Sequence, residues 1–201
     1  MIRVLIAEDM HLLREALVEL LTLEDGVEVA AQVASGTEIV PAAERHRPDV
    51  AVVDIDLPGM DGVEAAAELR DRLPECRVLI LTALSRPGQL HRALAAGVAG
   101  FVPKDLRPAD LVAAIRTVAA GGQAVDPALA VAALRSPPNP LTRRETEVLE
   151  LVATGAEPIE IAERMFLTYG TVRNYLASVV AKLNARNRVD AVRIAREAGW
   201  L

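Results

Sequence analysis

Four short apolar runs punctuate the first half of the chain, and each ends in a reactive polar mark. Val4-Leu5-Ile6-Ala7 runs into Glu8-Asp9, Val50-Ala51-Val52-Val53 into Asp54, Val78-Leu79-Ile80-Leu81 into Thr82, and Gly100-Phe101-Val102-Pro103 into Lys104. Continuous apolar runs of this length, alternating with helical segments, are the pattern of strands buried on both faces of a parallel sheet. Strands are expected near 3–7, 27–33, 49–53, 77–82 and 99–102, and helices near 11–22, 36–46, 62–72, 87–96 and 107–120. Five strand-then-helix units predict an α/β doubly wound domain with a five-stranded parallel sheet. Ser35-Gly36-Thr37-Glu38 and Asp61-Gly62-Val63-Glu64 each place an acceptor at an N-cap and a Glu three residues on, the spacing of a capping box.

After Gly121-Gly122 the pattern changes. Asp126-Pro127 starts a short helix to about Leu134, with Asp as cap and Pro at the first helical position. Ser136-Pro137-Pro138-Asn139-Pro140 is compatible with neither a helix nor a central strand. Beyond it, Thr142-Arg143-Arg144-Glu145 reads as another capping box, opening a helix whose Val148, Leu149, Leu151 and Val152 lie mainly on one side and which Gly155 closes. Short helices follow near 158–165, 169–183 and 188–198. The expected organisation is an α/β domain over 1–121, a linker with a short helix over 122–140, and a small all-α domain over 141–201.

The formal net charge of -6 conceals an asymmetry. Residues 1–125 carry 12 basic and 19 acidic groups, residues 141–163 carry 2 and 6, and residues 164–201 carry 7 and 2. A positive block confined to the last helices commonly meets a polyanion, although a solvated basic face has the same composition. Cys76 is the single cysteine, so an intrachain disulfide is excluded and a reducing compartment is the simplest inference. Acidic residues arrive too early for a signal peptide, and no stretch is long and apolar enough to span a bilayer. The chain is expected to be cytoplasmic, with no membrane insertion.

The polar marks define the candidate chemistry. Ligands of open α/β sheets bind beyond the carboxyl ends of the strands, and three carboxylates, a hydroxyl and an ammonium are predicted there. Singly, Glu8 and Asp9 read as solvated acids, Thr82 as a helix cap and Lys104 as a surface lysine; their joint placement after successive strands is what carries information. Magnesium takes hard oxygen ligands, which Glu8, Asp9 and Asp54 supply. A carboxylate is also a nucleophile toward phosphorus, and Asp54 lies in the middle of the expected sheet order. Thr82 then has a hydrogen bond, and Lys104 a point charge, to offer phosphoryl oxygens.

This arrangement resembles the receiver domain of two-component response regulators, whose fold is flavodoxin-like. The resemblance covers residues 1–121 and rests on Glu8-Asp9, on Asp54 followed by Leu57-Pro58-Gly59-Met60-Asp61-Gly62, on Thr82-Ala83, and on Gly97-Val98-Ala99-Gly100-Phe101-Val102-Pro103-Lys104. It implies that Asp54 is phosphorylated by a sensor histidine kinase and that Glu8, Asp9 and Asp54, with the backbone carbonyl of Asp56, hold Mg2+. It also implies that Thr82 and Phe101 move on activation, and that Asp56 and Leu84 influence the lifetime of the aspartyl phosphate.

In the last domain, two short helices joined near Phe166-Leu167-Thr168 predict a helix-turn-helix, whose second helix enters the major groove of DNA. Thr168 is its candidate N-cap. Arg173 and Asn174 suit bidentate bonds to guanine and adenine, while Thr171, Lys182, Arg186 and Arg188 reach phosphates or support the fold. Val172, Leu176, Val179, Val180 and Leu183 read as its buried face. Leu141-Thr142-Arg143-Arg144-Glu145, Glu160-Ile161-Ala162, Gly170-Thr171-Val172-Arg173-Asn174-Tyr175 and Lys182-Leu183 resemble the four-helix output domain of the LuxR, NarL and FixJ class of bacterial transcription factors. Arg86-Pro87-Gly88, Val172-Arg173-Asn174-Tyr175 and Gly199-Trp200 are similar to the subgroup that controls membrane-lipid desaturation. The chain departs from the class at Pro158-Ile159, where Asn-Lys is usual, and at Tyr175, where histidine is frequent.

Together these readings imply a transcriptional regulator in which aspartyl phosphate at Asp54 promotes homodimerisation and binding to double-stranded promoter DNA, with self-phosphorylation and autodephosphorylation as its only chemistry. Two alternatives use the same residues. Asp54-Ile55-Asp56 is similar to the paired aspartates of haloacid-dehalogenase-type phosphatases, although here the pair follows the third strand and not the first. The other alternative is a phosphorylation-independent regulator whose receiver merely dimerises or binds a small ligand.

Overall fold

The computed structural model of the chain describes residues 1–83, 87–135 and 139–201; Leu84, Arg86 and Ser136-Pro137-Pro138 lie outside the described residues. The chain divides into two compact units, whose bodies are residues 1–83 with 90–133 and residues 139–201.

The first unit alternates strand and helix: β1 (Ile2–Ala7), α1 (His11–Thr22), β2 (Val27–Val33), α2 (Gly36–His46), β3 (Val50–Asp54), α3 (Gly62–Arg72), β4 (Arg77–Thr82), α4 (Pro87–Ala95), β5 (Gly100–Pro103), α5 (Pro108–Ala119), β6 (Ala124–Val125) and α6 (Pro127–Arg135). All strand pairs are parallel, in the order β2-β1-β3-β4-β5-β6. The sheet therefore has one strand more than the apolar runs predict. Two residues are too short a run to show periodicity, and β6 forms because Gly100 and Phe101 present an unpaired ladder edge to Ala124 and Val125.

Alternation along each strand divides the core in two. Leu5, Ala7, Ala51, Val53, Val78, Ile80 and Phe101 pack with residues of α2, α3, α4 and α6. Val4, Ile6, Val50, Val52, Leu79, Leu81 and Val102 pack with α1 and α5. Burial on both faces is the physical reason that these strands read as unbroken apolar runs.

Helix starts obey their caps unevenly. Asp61 accepts from the amides of Val63 and Glu64, both at 2.8 Å, and fixes the start of α3. The box expected at Ser35 does not form: its hydroxyl donates to the Pro58 carbonyl at 3.2 Å, and Glu38 accepts from Ala34 N instead. Ser35 is thereby committed to the loop after β3, where Gly59 holds a φ of +82°.

The second unit contains α7 (Arg143–Ala153), α8 (Pro158–Arg164), α9 (Tyr169–Lys182) and α10 (Arg188–Ala198). Leu141, Leu149, Val179, Leu183, Ala191 and Ala195 form one small core. Val148, Ala156, Ile161, Ala162, Val172 and Leu176 form another. Thr142 and Glu145 make the predicted capping box, and Thr168 caps α9 by accepting from Thr171 N at 3.2 Å. Among the described residues, no helix is long and apolar enough to cross a membrane.

Candidate functional site

The polar residues that follow the strands converge. Asp54 is the last residue of β3, Glu8 and Asp9 follow β1, Thr82 ends β4 and Lys104 follows β5. Because the strands are parallel and in register, their ends share one edge. The Lys104 amide donates to the Thr82 carbonyl at 2.8 Å, which ties the last two positions together. The loop after β3 returns at once, since Gly62 N donates to the Ile55 carbonyl at 2.9 Å. That turn has no room for a side chain: a Cβ at Gly62 would lie 2.1 Å from the Asp54 carbonyl oxygen.

Lys104 bridges the two buried acids. Its Nζ lies 2.7 Å from Glu8 Oε2 and 2.8 Å from Asp54 Oδ2. Burial pushes the Glu8 carboxyl above its ordinary value; the Lys104 ammonium opposes that push and the Asp54 charge adds to it. Burial pulls the other way on Lys104, but Asp54 and Glu8 outweigh it and raise the ammonium above its ordinary value. Asp54 Oδ1 accepts weakly from Asp56 N at 3.4 Å, and the Asp56 side chain is exposed. Arg14, which the sequence reading did not single out, donates to the Glu8 carbonyl at 2.7 Å and holds the turn into α1. Thr82 and Phe101 are both 1% exposed, so the hydroxyl and the ring lie inside the fold.

This set fits a hard divalent cation. Glu8, Asp9 and Asp54 each offer a carboxylate oxygen, and these oxygens lie within 4.8 Å of one another. Glu8 Oε2 is buried without an aligned donor, although the Lys104 charge is beside it. A hard cation would suit that buried oxygen together with the Asp9 and Asp54 carboxylates.

The second unit places its predicted residues on and around α9. Arg173 and Asn174 are exposed, next to the buried Val172. Thr168 and Thr171 share a hydroxyl hydrogen bond of 2.9 Å at the start of the same helix. Lys182 donates at 2.6 Å to Glu145, which also receives the Ser178 hydroxyl at 2.6 Å and the Thr142 amide at 2.6 Å. Arg188 makes a forked pair with Glu157, at 2.9 and 3.1 Å. The Glu145 network lay beyond the sequence reading, although Ser178 and Lys182 stand four residues apart and so share a helix face. Phe166, in the turn before α9, is 96% exposed at a φ of +55°.

Comparison with known proteins agrees with both units. Residues 4–116 match the response regulator receiver domain, and residues 139–195 match the bacterial regulatory proteins of the luxR family. The transcriptional regulatory protein DesR of Bacillus subtilis is 44% identical over 200 residues, covering 100% of this chain and 99% of that protein. The response regulator RamR of Streptomyces coelicolor is 43% identical over 203 residues, covering 100% and 98%. The fold matches that of the response regulator RcsB in a complex with DNA, with a TM-score of 0.67, 22% identity and 98% of each chain covered. An acid-lined edge on a doubly wound sheet, followed by a four-helix unit, is thus the architecture of a known class: the chain belongs to the two-component response regulators with a LuxR-type DNA-binding domain, and is a transcriptional regulator.

Proposed function

We propose that this regulator is switched by phosphorylation of Asp54, and that the aspartyl phosphate promotes dimerisation and promoter binding. The observation that carries the reading is the convergence of Glu8, Asp9, Asp54 and Lys104 on one sheet edge, with the Asp54 carboxylate turned to Lys104. An Asp54 carboxylate oxygen attacks the phosphorus of a phosphohistidine on a sensor kinase. The new O–P bond forms as the P–N bond breaks, and the imidazole leaves with its electron pair and takes up a proton. Bound Mg2+, held by Glu8, Asp9, Asp54 and the Asp56 carbonyl, would offset the repulsion between carboxylate and phosphoryl group. Lys104 passes from Asp54 to a phosphoryl oxygen, and the Thr82 hydroxyl donates to another. Thr82 and Phe101 then rearrange, shifting the receiver toward a dimer-competent state.

In the output domain, α9 is the recognition helix. Arg173 and Asn174 read base edges, and Thr168 and Thr171 position the helix start against the backbone. Lys182 and Arg188 act chiefly by holding α9 and α10 through Glu145 and Glu157, adding positive potential beside the duplex. Their reading as phosphate contacts thus competes with partners inside the protein. Cytoplasmic location follows from the same role.

Intact-mass measurement with a small acyl phosphate and magnesium tests the chemistry. The native chain gains one phosphoryl group and Asp54→Asn gains none. Incorporation that persists in the variant would move the acceptor to another residue such as Asp56, and no incorporation by the folded native chain would overturn the reading.

A further inference from the structure

The strand β6 makes the start of the stretch between the units a part of the receiver. Val125 pairs in register with Phe101, and Asp126 N donates to the Phe101 carbonyl at 3.1 Å. The Asp126 carboxylate then caps α6, accepting from the amides of Ala128 at 2.9 Å and Leu129 at 3.0 Å. Leu129 is 6% exposed and lies in the same apolar cluster as Phe101, with Val125 packed against it. One residue therefore joins the Phe101 backbone to the start of a helix, and one side chain seats that helix in the cluster the Phe101 ring helps to fill. The strands leave no slack at this point. A Cβ at Gly100 would lie 2.3 Å from Leu79 Cδ1 and 3.1 Å from the Ala124 carbonyl oxygen. The boundary between the two compact units falls inside α6, after Ala133.

We propose that β6 and the first turn of α6 are the transmission element of this regulator, with Asp126 and Leu129 as positioning residues. The inference rests on the reading that Asp54 phosphorylation moves Phe101. A packed cluster moves between discrete arrangements and does not deform continuously. A shift of Phe101 is therefore a shift of the seat beneath Leu129 and of the carbonyl that anchors Asp126. An α-helix carries a displacement at its capped start along its length, here to Arg135.

The test uses the full chain, with and without an acyl phosphate and magnesium. Hydrogen exchange of the 124–131 amides, phosphoryl uptake by intact mass, and affinity for a duplex selected by the phosphorylated native chain are measured together. In the native chain phosphorylation changes exchange at these amides. Leu129→Ala and Asp126→Ala take up phosphate normally, while the phosphate-dependent gain in DNA affinity falls from roughly tenfold to about onefold. Asp126→Asn, which keeps a capping acceptor, retains the gain. Uptake and a DNA gain in the native chain with unchanged 124–131 amides would overturn the inference alone, even if the variants fail to fold. Full coupling in both Ala variants would overturn it too. A native chain that takes up no phosphate overturns the receiver reading, and this inference with it.

Discussion

Glu145 shows how one residue takes on more than its local motif announces. Its place in a capping box is legible from Thr142 and the spacing, but the box does not reveal that the carboxylate also receives Ser178 and Lys182 from α9. Burial pushes this carboxyl up, yet the Lys182 ammonium, the Ser178 hydroxyl and Thr142 together hold it at about 2, against an ordinary 4.5. A folded-state value below the unfolded one gives stability that is present above about 4.5 and lost as pH falls toward about 2. Acid titration followed by circular dichroism should therefore show the second unit losing stability in that window. Glu145→Ala should shrink that loss to the share owed to Asp190, whose carboxyl Arg186 and Arg193 also hold low, and cost about 2 kcal/mol in urea unfolding, because it leaves the Ser178 hydroxyl and the Thr142 amide and hydroxyl without their acceptor. Phe166 carries the opposite lesson. A bulky residue at a φ of +55° is strained, and its ring is solvent-exposed. Phe166→Asn should raise stability by roughly 0.5–1 kcal/mol, read as an upward shift in Tm, since Asn tolerates this region.

Elements were legible in proportion to their burial. The strands ending at Glu8, Asp54, Thr82 and Lys104 announce themselves because both faces are covered, and the site follows because parallel strands end on one edge. Asp61 supplies the cap half of the box its sequence suggests, whereas Ser35 does not, because the Pro58 carbonyl competes for its hydroxyl across 23 residues. No local pattern reports a contact of that kind, and none reports β6, whose pairing depends on the edge left by β5. The α3 start leaves no room for a side chain at Gly62. Gly62→Ala should displace the turn after Asp54 and cost about 3 kcal/mol in urea unfolding, by the overpacking rule. Its phosphoryl uptake should slow even where the fold survives, which intact-mass time courses would show.

At the scale of the whole molecule, two units with separate cores divide a receiver from a DNA-binding domain. On the proposed reading of α9 as a recognition helix, one chain covers one half-site, and half-sites about one helical turn apart call for two. Sedimentation velocity with an acyl phosphate and magnesium should show the native chain moving from monomer to dimer and Asp54→Asn remaining monomeric. An unchanged monomer, on DNA and off it, would remove dimerisation from the account. The sequence marks this division by the segment Ser136-Pro137-Pro138-Asn139-Pro140, which suits neither helix nor central strand, and by the change of pattern after Gly121-Gly122. The sixth strand bears on how such regulators recombine. A fusion that exchanged output domains at residue 121 would strip β5 of its neighbour and leave the seat of Leu129 open to water, presenting a bare ladder edge to other chains. The heritable module is therefore longer than the five-unit repeat suggests: it travels intact only when the crossover falls beyond Leu129.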